Sequence, residues 1–341
     1  MNEIAFLGIG FPAALSNLSI SALATAAEAP LNYFLHSYGP ASRPTMILGW
    51  VLAVVCLAVC IIIGILLVAA ITRKRQATDS RTIGREEEGL GWIYIGAGLS
   101  TCVLLALAVY AMITLNAIAK PATAPGLTLT VTGYDWWWKV TYEDEDPARR
   151  FVTANEIHIP VGVPVLIKLN SADVIHAFWV PQLAGKTEMI PGLMNQQWLQ
   201  ADVAGTYRGQ CSQYCGAQHA HMAVEVVAQA PANFKYWQET QRQKAALSSA
   251  VSIADGMKLF MERCSGCHAI RGTEATGEHG PDLTHLNSRH RIAAGLRANT
   301  PRQVIEWVIH AQEIKPGSRM PSISLSPSEM ADLAAFLATL N

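Results

Sequence analysis

Charge is scarce in this sequence. Only 15% of its 341 residues are Asp, Glu, Lys or Arg, against about a quarter in ordinary soluble domains. Hydrophobic residues make up 51%, more than a single core needs, so membrane segments are the better explanation. An excess of one sign is also missing. The formal net charge is -1, and nothing points to a nucleic-acid partner. Cysteine is sparse as well: Cys56, Cys60 and Cys102 lie inside long apolar runs and are read as packing residues. The other four form two close pairs, Cys211 with Cys215 and Cys264 with Cys267. None is left over for a disulfide framework, and both pairs have the spacing of cofactor sites.

The charge deficit is concentrated in two places. Met46 to Ile71 contains no charged residue. As a helix that run would reach ~39 Å, beyond the ~30 Å hydrocarbon core of a bilayer. Gly89 to Ala119 is a second uncharged run of sufficient length. The loop between them holds Arg73, Lys74, Arg75, Arg81 and Arg85, whereas the segment before the first run has only Arg43. Basic loops stay on the cytoplasmic side, so both the N-terminus and everything after Lys120 are expected outside. Residues 1–30 offer two cleavage-like patterns, Ala24-Thr25-Ala26 and Ala27-Glu28-Ala29, but no basic leader. A cleaved signal peptide and a retained outer tail both stay open. Glu86, Glu87 and Glu88 precede the second run and balance the charge of the basic loop.

After Pro121 the pattern turns to short runs rich in Val, Ile, Thr and aromatics: 127–142, 156–159, 164–169, 174–180, 196–203 and 222–227. Runs at this spacing predict a sandwich or barrel. Within this region lies Cys211-x3-Cys215-x3-His219-Ala-His221-Met222. Two thiolates, imidazole and a thioether are soft donors that select copper or zinc. Zinc gains nothing from Met222 and prefers closer cysteines, so copper is favoured. His221 is read as a surface histidine, and His158, alternating with Ile157 and Ile159, as a structural one.

Here the sequence resembles subunit II of haem-copper cytochrome c oxidases, from about Met46 to Val227. That resemblance implies two transmembrane helices followed by an all-β, cupredoxin-like Greek-key barrel holding a binuclear copper centre, CuA. It implies His176, Cys211, Cys215, His219, Met222 and the backbone carbonyl of Gln213 as ligands. His176 comes from the upstream segment Asp173-Val-Ile-His176. The family usually has Glu where this chain has Gln213, which puts the family's interfacial magnesium site in question but leaves a carbonyl in place. The aromatic cluster Trp136-Trp137-Trp138 also matches, and the resemblance makes Trp136 the residue through which electrons reach copper.

The last ninety residues carry a different motif. After a polar, partly helical linker over 230–252, Cys264-Ser-Gly-Cys267-His268 closes a helix. Cys-x-x-Cys-His is the attachment motif for covalent c-type haem, with His268 as proximal iron ligand. A sixth ligand is usually methionine. Met257 and Met261 lie on the helix before the motif, and Met330 sits within the final helix, which should start at Ser326-Pro327 and run to Leu340. Met320 lies in a loop before Pro321 and is the favoured ligand. Residues 253–341 resemble a class I, all-α cytochrome c, and the resemblance makes the Pro281 carbonyl the group that orients His268.

The expected organisation is a membrane-anchored multidomain chain. It comprises an outer segment or signal peptide (1–45), a transmembrane hairpin (46–120), a CuA domain (121–229), a linker (230–252) and a cytochrome c domain (253–341). By resemblance it passes electrons from a cytochrome c donor through haem c and CuA to the catalytic subunit I of a terminal oxidase, with subunit III as a further partner. It would sit in a bacterial inner membrane with both cofactor domains on the periplasmic or outer side, and would have no oxygen-reducing site of its own. Two alternatives are a CuA-bearing nitric-oxide reductase small subunit and a membrane-tethered electron carrier. Acidic residues Glu143–Asp146 and Asp173 either steer a basic cytochrome or form a solvated loop.

Overall fold

The structure is a computed structural model that describes residues 35–73, 90–246 and 251–341. The cleavage-like patterns before residue 30, the basic residues from Lys74 to Arg85 and the run Glu86–Glu88 lie outside the described residues. The chain starts with α1 (Arg43–Thr72) and α2 (Leu90–Ile118), which pack side by side. Both are long and apolar enough to cross a membrane. No residue of α1 is buried, and Thr114 is the buried residue of α2. Helices apolar on every face, with that surface uncovered, need lipid around them rather than water. Arg43, at the start of α1, pairs with Asp202 at 3.1 Å. At the end of α2, the Ile118 carbonyl accepts the Trp198 indole N–H at 2.8 Å. So α1 leaves the β domain and α2 returns to it.

The β domain has ten strands. They are β1 (Leu127–Tyr134), β2 (Trp137–Tyr142), β3 (Phe151–Ala154), β4 (Glu156–Pro160), β5 (Val165–Ser171), β6 (His176–Trp179), β7 (Thr187–Met189), β8 (Asn195–Leu199), β9 (Gly205–Cys211) and β10 (Ala223–Gln229). They form two five-stranded sheets, ordered β3-β2-β1-β5-β8 and β4-β10-β9-β6-β7. β1 runs parallel to β5 and β4 parallel to β10, while the other pairs are antiparallel. β5 shows the cause most plainly: its residues alternate between buried and half-buried, placing Val165, Ile167 and Leu169 inside. Phe178, Ile157, Leu129 and Trp138 complete the core between the sheets. This is the expected cupredoxin-like architecture.

Two details differ from the sequence reading, and a third sharpens it. The run 127–142 is two strands joined by a turn at Asp135–Trp136, because the pairing of Tyr134 with Trp137 folds it back on itself. β3, β7 and β9 were not expected; β3 and β7 are short, and β9 hides its inward face behind Gly209 and Cys211. Finally, α3 (Pro231–Arg242) makes the linker's first half a defined helix. Its Trp237 ring stacks on His158 at 4.0 Å, and Phe234 is buried against the barrel.

The C-terminal domain contains α4 (Val251–Arg263), a two-stranded ribbon of β11 (Arg291–Ile292) and β12 (Arg297–Ala298), α5 (Pro301–Ile309), α6 (Ala311–Ile314) and α7 (Pro327–Leu337). Ser326 caps α7 in a reciprocal capping box with Glu329, as the Ser-Pro start leads one to expect. The helix ends at Leu337, three residues short of the expected Leu340. α4 crosses α7 so closely that a Cβ on Gly256 would collide with the Asp332 carbonyl and the Phe336 Cβ. Phe260 and Phe336 meet at this crossing with ring centroids 5.5 Å apart.

Candidate metal centres

β6 and β9 pair antiparallel, with Phe178 opposite Cys211. That register carries His176, at the start of β6, to the end of β9. Beyond Cys211 the chain loops through Gly216 and a short turn of helix to Met222, then enters β10. The Cys211 N–H donates to the Met222 carbonyl at 2.9 Å, closing the loop on itself. The sulfurs of Cys211 and Cys215 lie 3.7 Å apart. His176 Nδ1 is 3.8 Å from the Cys211 sulfur, and His219 Nδ1 is 3.6 Å from the Cys215 sulfur. The Gln213 carbonyl oxygen lies 3.1 Å from the Cys211 sulfur. Met222 is fully buried beneath the loop. Five of the six expected ligand residues therefore come together, and Met222 is buried in the same loop.

The electrostatics suit a cation. Asp173 Oδ1 contacts His176 Nε2 at 2.9 Å, which leaves Nδ1 facing the sulfurs. Burial disfavours charge on His176, but Asp173 and Cys211 outweigh it and raise its pKa to about 9. Cys215 donates towards Cys211 and holds its pKa far below the thiol range, while the Cys215 thiol is itself pushed up. A metal here would find two cysteine sulfurs, two imidazoles and a carbonyl, with the Met222 thioether buried in the same loop. That set fits copper by softness. His221 points away: it is exposed, and its Nδ1 meets the Gln218 side chain at 2.7 Å. His158 is held between Glu156, at 2.8 Å, and α3, a structural position.

The second centre lies around the end of α4. Cys264 and Cys267 flank a tight turn, and His268 Nδ1 is 2.8 Å from the Pro281 carbonyl. That contact fixes the ring with Nδ1 as donor and leaves Nε2 for a metal. Burial pulls the pKa of His268 below its ordinary value, so the ring stays neutral, as a ligand must. A Cβ on Gly280 would lie 2.6 Å from the imidazole Cε1, so only glycine fits under the ring. These residues open on a cavity of about 220 Å³, also lined by Met320 and Leu283. The Gln312 side-chain amide donates to the Met320 carbonyl at 2.6 Å and fixes that loop. Met257 and Met261 pack against the domain core. Two thiols, a neutral imidazole and a facing thioether around an apolar slot fit a covalently attached haem.

The two centres share a wall. Asp135 and Trp136, from the β1–β2 turn, line the same cavity as Cys267 and His268. On its other edge, the Trp136 indole N–H donates to the Cys215 carbonyl at 2.8 Å. Of the three tryptophans, Trp138 is fully buried and Trp137 stacks on Tyr134 at 4.8 Å. Around the junction, His290 and Arg291 of the C-terminal domain meet the buried carboxylates Glu156 and Glu225. His290 Nδ1 lies 3.5 and 3.6 Å from them, and Arg291 Nε is 3.2 Å from Glu225. Lys315 also crosses the junction, donating to the Trp136 and His221 carbonyls, both at 2.8 Å. Nothing in the sequence marked Glu225, His290 or Lys315, because their partners lie in another domain.

Residues 127–229 match the family described as the periplasmic domain of cytochrome c oxidase subunit II, and residues 253–341 match the cytochrome c family. A cytochrome c oxidase subunit 2 from Alkalihalophilus pseudofirmus is 34% identical over 214 residues, 62% of this chain and 60% of the relative. One from Thermostichus vulcanus is 37% identical over 130 residues, 38% of this chain and 37% of the relative. Among solved structures, the periplasmic domain of subunit II of the Bradyrhizobium japonicum oxidase is 31% identical. It overlaps 36% of this chain and 97% of its own, with a TM-score of 0.34. The chain spans 60%, 56% and 61% of the lengths of three curated relatives, all cytochrome c oxidase subunits 2.

Proposed function

We propose that this chain, whose residues 127–229 match the cytochrome c oxidase subunit II periplasmic domain and whose residues 253–341 match cytochrome c, is the electron-transfer subunit of a haem-copper terminal oxidase. It takes electrons from a cytochrome c donor and delivers them to a catalytic subunit I that reduces oxygen to water, with subunit III alongside. α1 and α2 anchor it in a bacterial inner membrane, with both cofactor domains on the outer side. Cys264, Cys267, His268 and Met320 would hold haem c, and His176, Cys211, the Gln213 carbonyl, Cys215, His219 and Met222 would hold a copper pair; bound there, the two groups would supply the one-electron carriers.

The chain's own residues do the rest. Asp173 and the Pro281 carbonyl set the tautomers of His176 and His268. The barrel keeps Cys211 and Met222 dry, and a ligand set held by packing rearranges little when its charge changes. The observation that carries this reading is the shared wall: Trp136 lines the cavity of the Cys-x-x-Cys-His motif and hydrogen-bonds to Cys215. The cytochrome that faces Trp136 is thus the fused one, and an external donor would deliver to the haem domain.

The test is metal content and electron paramagnetic resonance of the full-length protein, purified in detergent after haem maturation and copper loading. Two coppers per haem, with one unpaired electron spread over both nuclei, are expected. One isolated copper, or zinc, beside an intact haem would overturn the CuA reading and leave a tethered cytochrome.

A further inference from the structure

Lys315 is 3% exposed, on the loop after α6, yet its partners are carbonyls and not carboxylates. Its Nζ donates to Trp136 O and His221 O at 2.8 Å each, and to Ala293 O at 3.2 Å. An ammonium has three protons, and these acceptors use all three. Burial pulls its pKa down to about 7. The carbonyl cage opposes that pull, because a neutral amine could serve only two of the three acceptors. An apolar side chain of similar length would fill the space without burying a charge, so packing alone does not call for lysine here.

The three carbonyls belong to three segments. Trp136 lies in the β1–β2 turn, His221 in the copper loop between His219 and Met222, and Ala293 in the β11–β12 turn of the haem domain. The rest of the same loop also touches both centres. The Pro316 carbonyl accepts the Gln218 side-chain amide at 2.9 Å. Arg319 lies 3.5 Å from Asp173, the carboxylate that orients His176. Met320, the proposed iron ligand, comes next.

We propose that Lys315 is the positioning residue of this junction, holding the haem domain, the Trp136 turn and the copper loop in one fixed spacing so that electrons cross within the chain and not by domain encounter. The proposal rests on the electron-transfer reading above. Lys315 lines the cavity on which His268 opens, but its hydrogen bonds go to backbone carbonyls and not to a candidate ligand side chain. It sets where Trp136 stands between the two centres.

The experiment compares the haem- and copper-loaded, full-length protein with Lys315→Met and the milder Lys315→Gln. Electron passage from haem to copper is followed after a light pulse that reduces the haem. Lys315→Met is expected to slow this step roughly ten-fold or more, since small misplacements of a reacting group are costly in rate. Lys315→Gln should lie between it and the parent. Both variants should make the rate depend on solvent viscosity, while haem absorbance and the copper resonance spectrum stay as in the parent. A second readout needs no electron transfer: exchange of the Ala223 amide, which donates across the junction to the Ala294 carbonyl at 3.0 Å, should speed up. An unchanged rate in both variants overturns the proposal. So does a changed copper or haem spectrum in both, since Lys315 would then shape a metal site and not the spacing. If the parent protein lacks the shared-electron copper signal, the electron-transfer reading fails first and takes this proposal with it.

Discussion

Trp136 has its ring edge in one centre's cavity and its N–H on the other centre's loop, so it can be probed without touching a ligand. Trp136→Phe keeps most of the apolar ring but removes the donor to the Cys215 carbonyl, leaving that carbonyl unpaired. Such a loss costs about 1–3 kcal/mol. Electron passage between the centres is expected to slow several-fold, with copper content unchanged; a rate equal to the parent's would remove Trp136 from the route. The proposed ligands were legible as candidates because the sequence holds them close together: Cys211, Cys215, His219 and Met222 within one loop, and Cys264, Cys267 and His268 within one turn. His176 lies far upstream and came only through a family resemblance. Its partner Asp173 is three residues away, but the 2.9 Å contact depends on how β6 begins. Lys315 carried no signal, since a lone lysine in a loop normally means solvent, and only the packing of two domains turns it inward.

Elements were legible where one physical cause dominates. α1 and α2 follow from uncharged runs, and the start of α7 follows from Ser326-Pro327. β9 was missed because its inward residues, Tyr207, Gly209 and Cys211, include two small ones, so the alternation is hidden from a hydrophobicity reading. Gly256 was missed for the opposite reason: a mid-helix glycine reads as a weakness. In an open helix, Gly→Ala gains about 1 kcal/mol. Here the new methyl would meet the Asp332 backbone and the Phe336 Cβ, and overpacking costs about 1–3 kcal/mol when the obstacle is rigid. The backbone carbonyl cannot swing aside, so the clash wins. Gly256→Ala is expected to lower the thermal midpoint of the haem domain, followed by haem absorbance, whereas the propensity view alone would raise it.

In the whole molecule, two membrane helices are tied to one end of a barrel and a haem domain is docked over the copper loop. Much of the docking is ionic, and its pH dependence has a definite sign. Glu156 is buried, which raises its pKa, but the hydrogen bond and charge of His158 and the approach of His290 outweigh that and bring it below 4.5. Its contribution is complete above 4.5 and fades as pH falls through the lowered value. For His290, the Glu225 carboxylate 3.6 Å away raises the pKa above 6.5; burial opposes this and the charge of Glu156 adds to it. Its contribution is complete below 6.5 and fades as pH rises through the raised value. The docking is therefore firmest between those limits. His290→Gln isolates the alkaline side. The variant should melt below the parent at about pH 5.5, and the gap should be smaller at a pH above the raised value of His290, where the parent's imidazole has lost its proton too. Each melt would be followed by haem absorbance at matched ionic strength, because His290 is half exposed and added salt weakens its ion pairs. A gap that is the same at both pH values would mean that His290 acts by shape alone. A gap that widened with pH would reverse the assigned sign, and the junction would then have to be held by Lys315 and the backbone contacts around it.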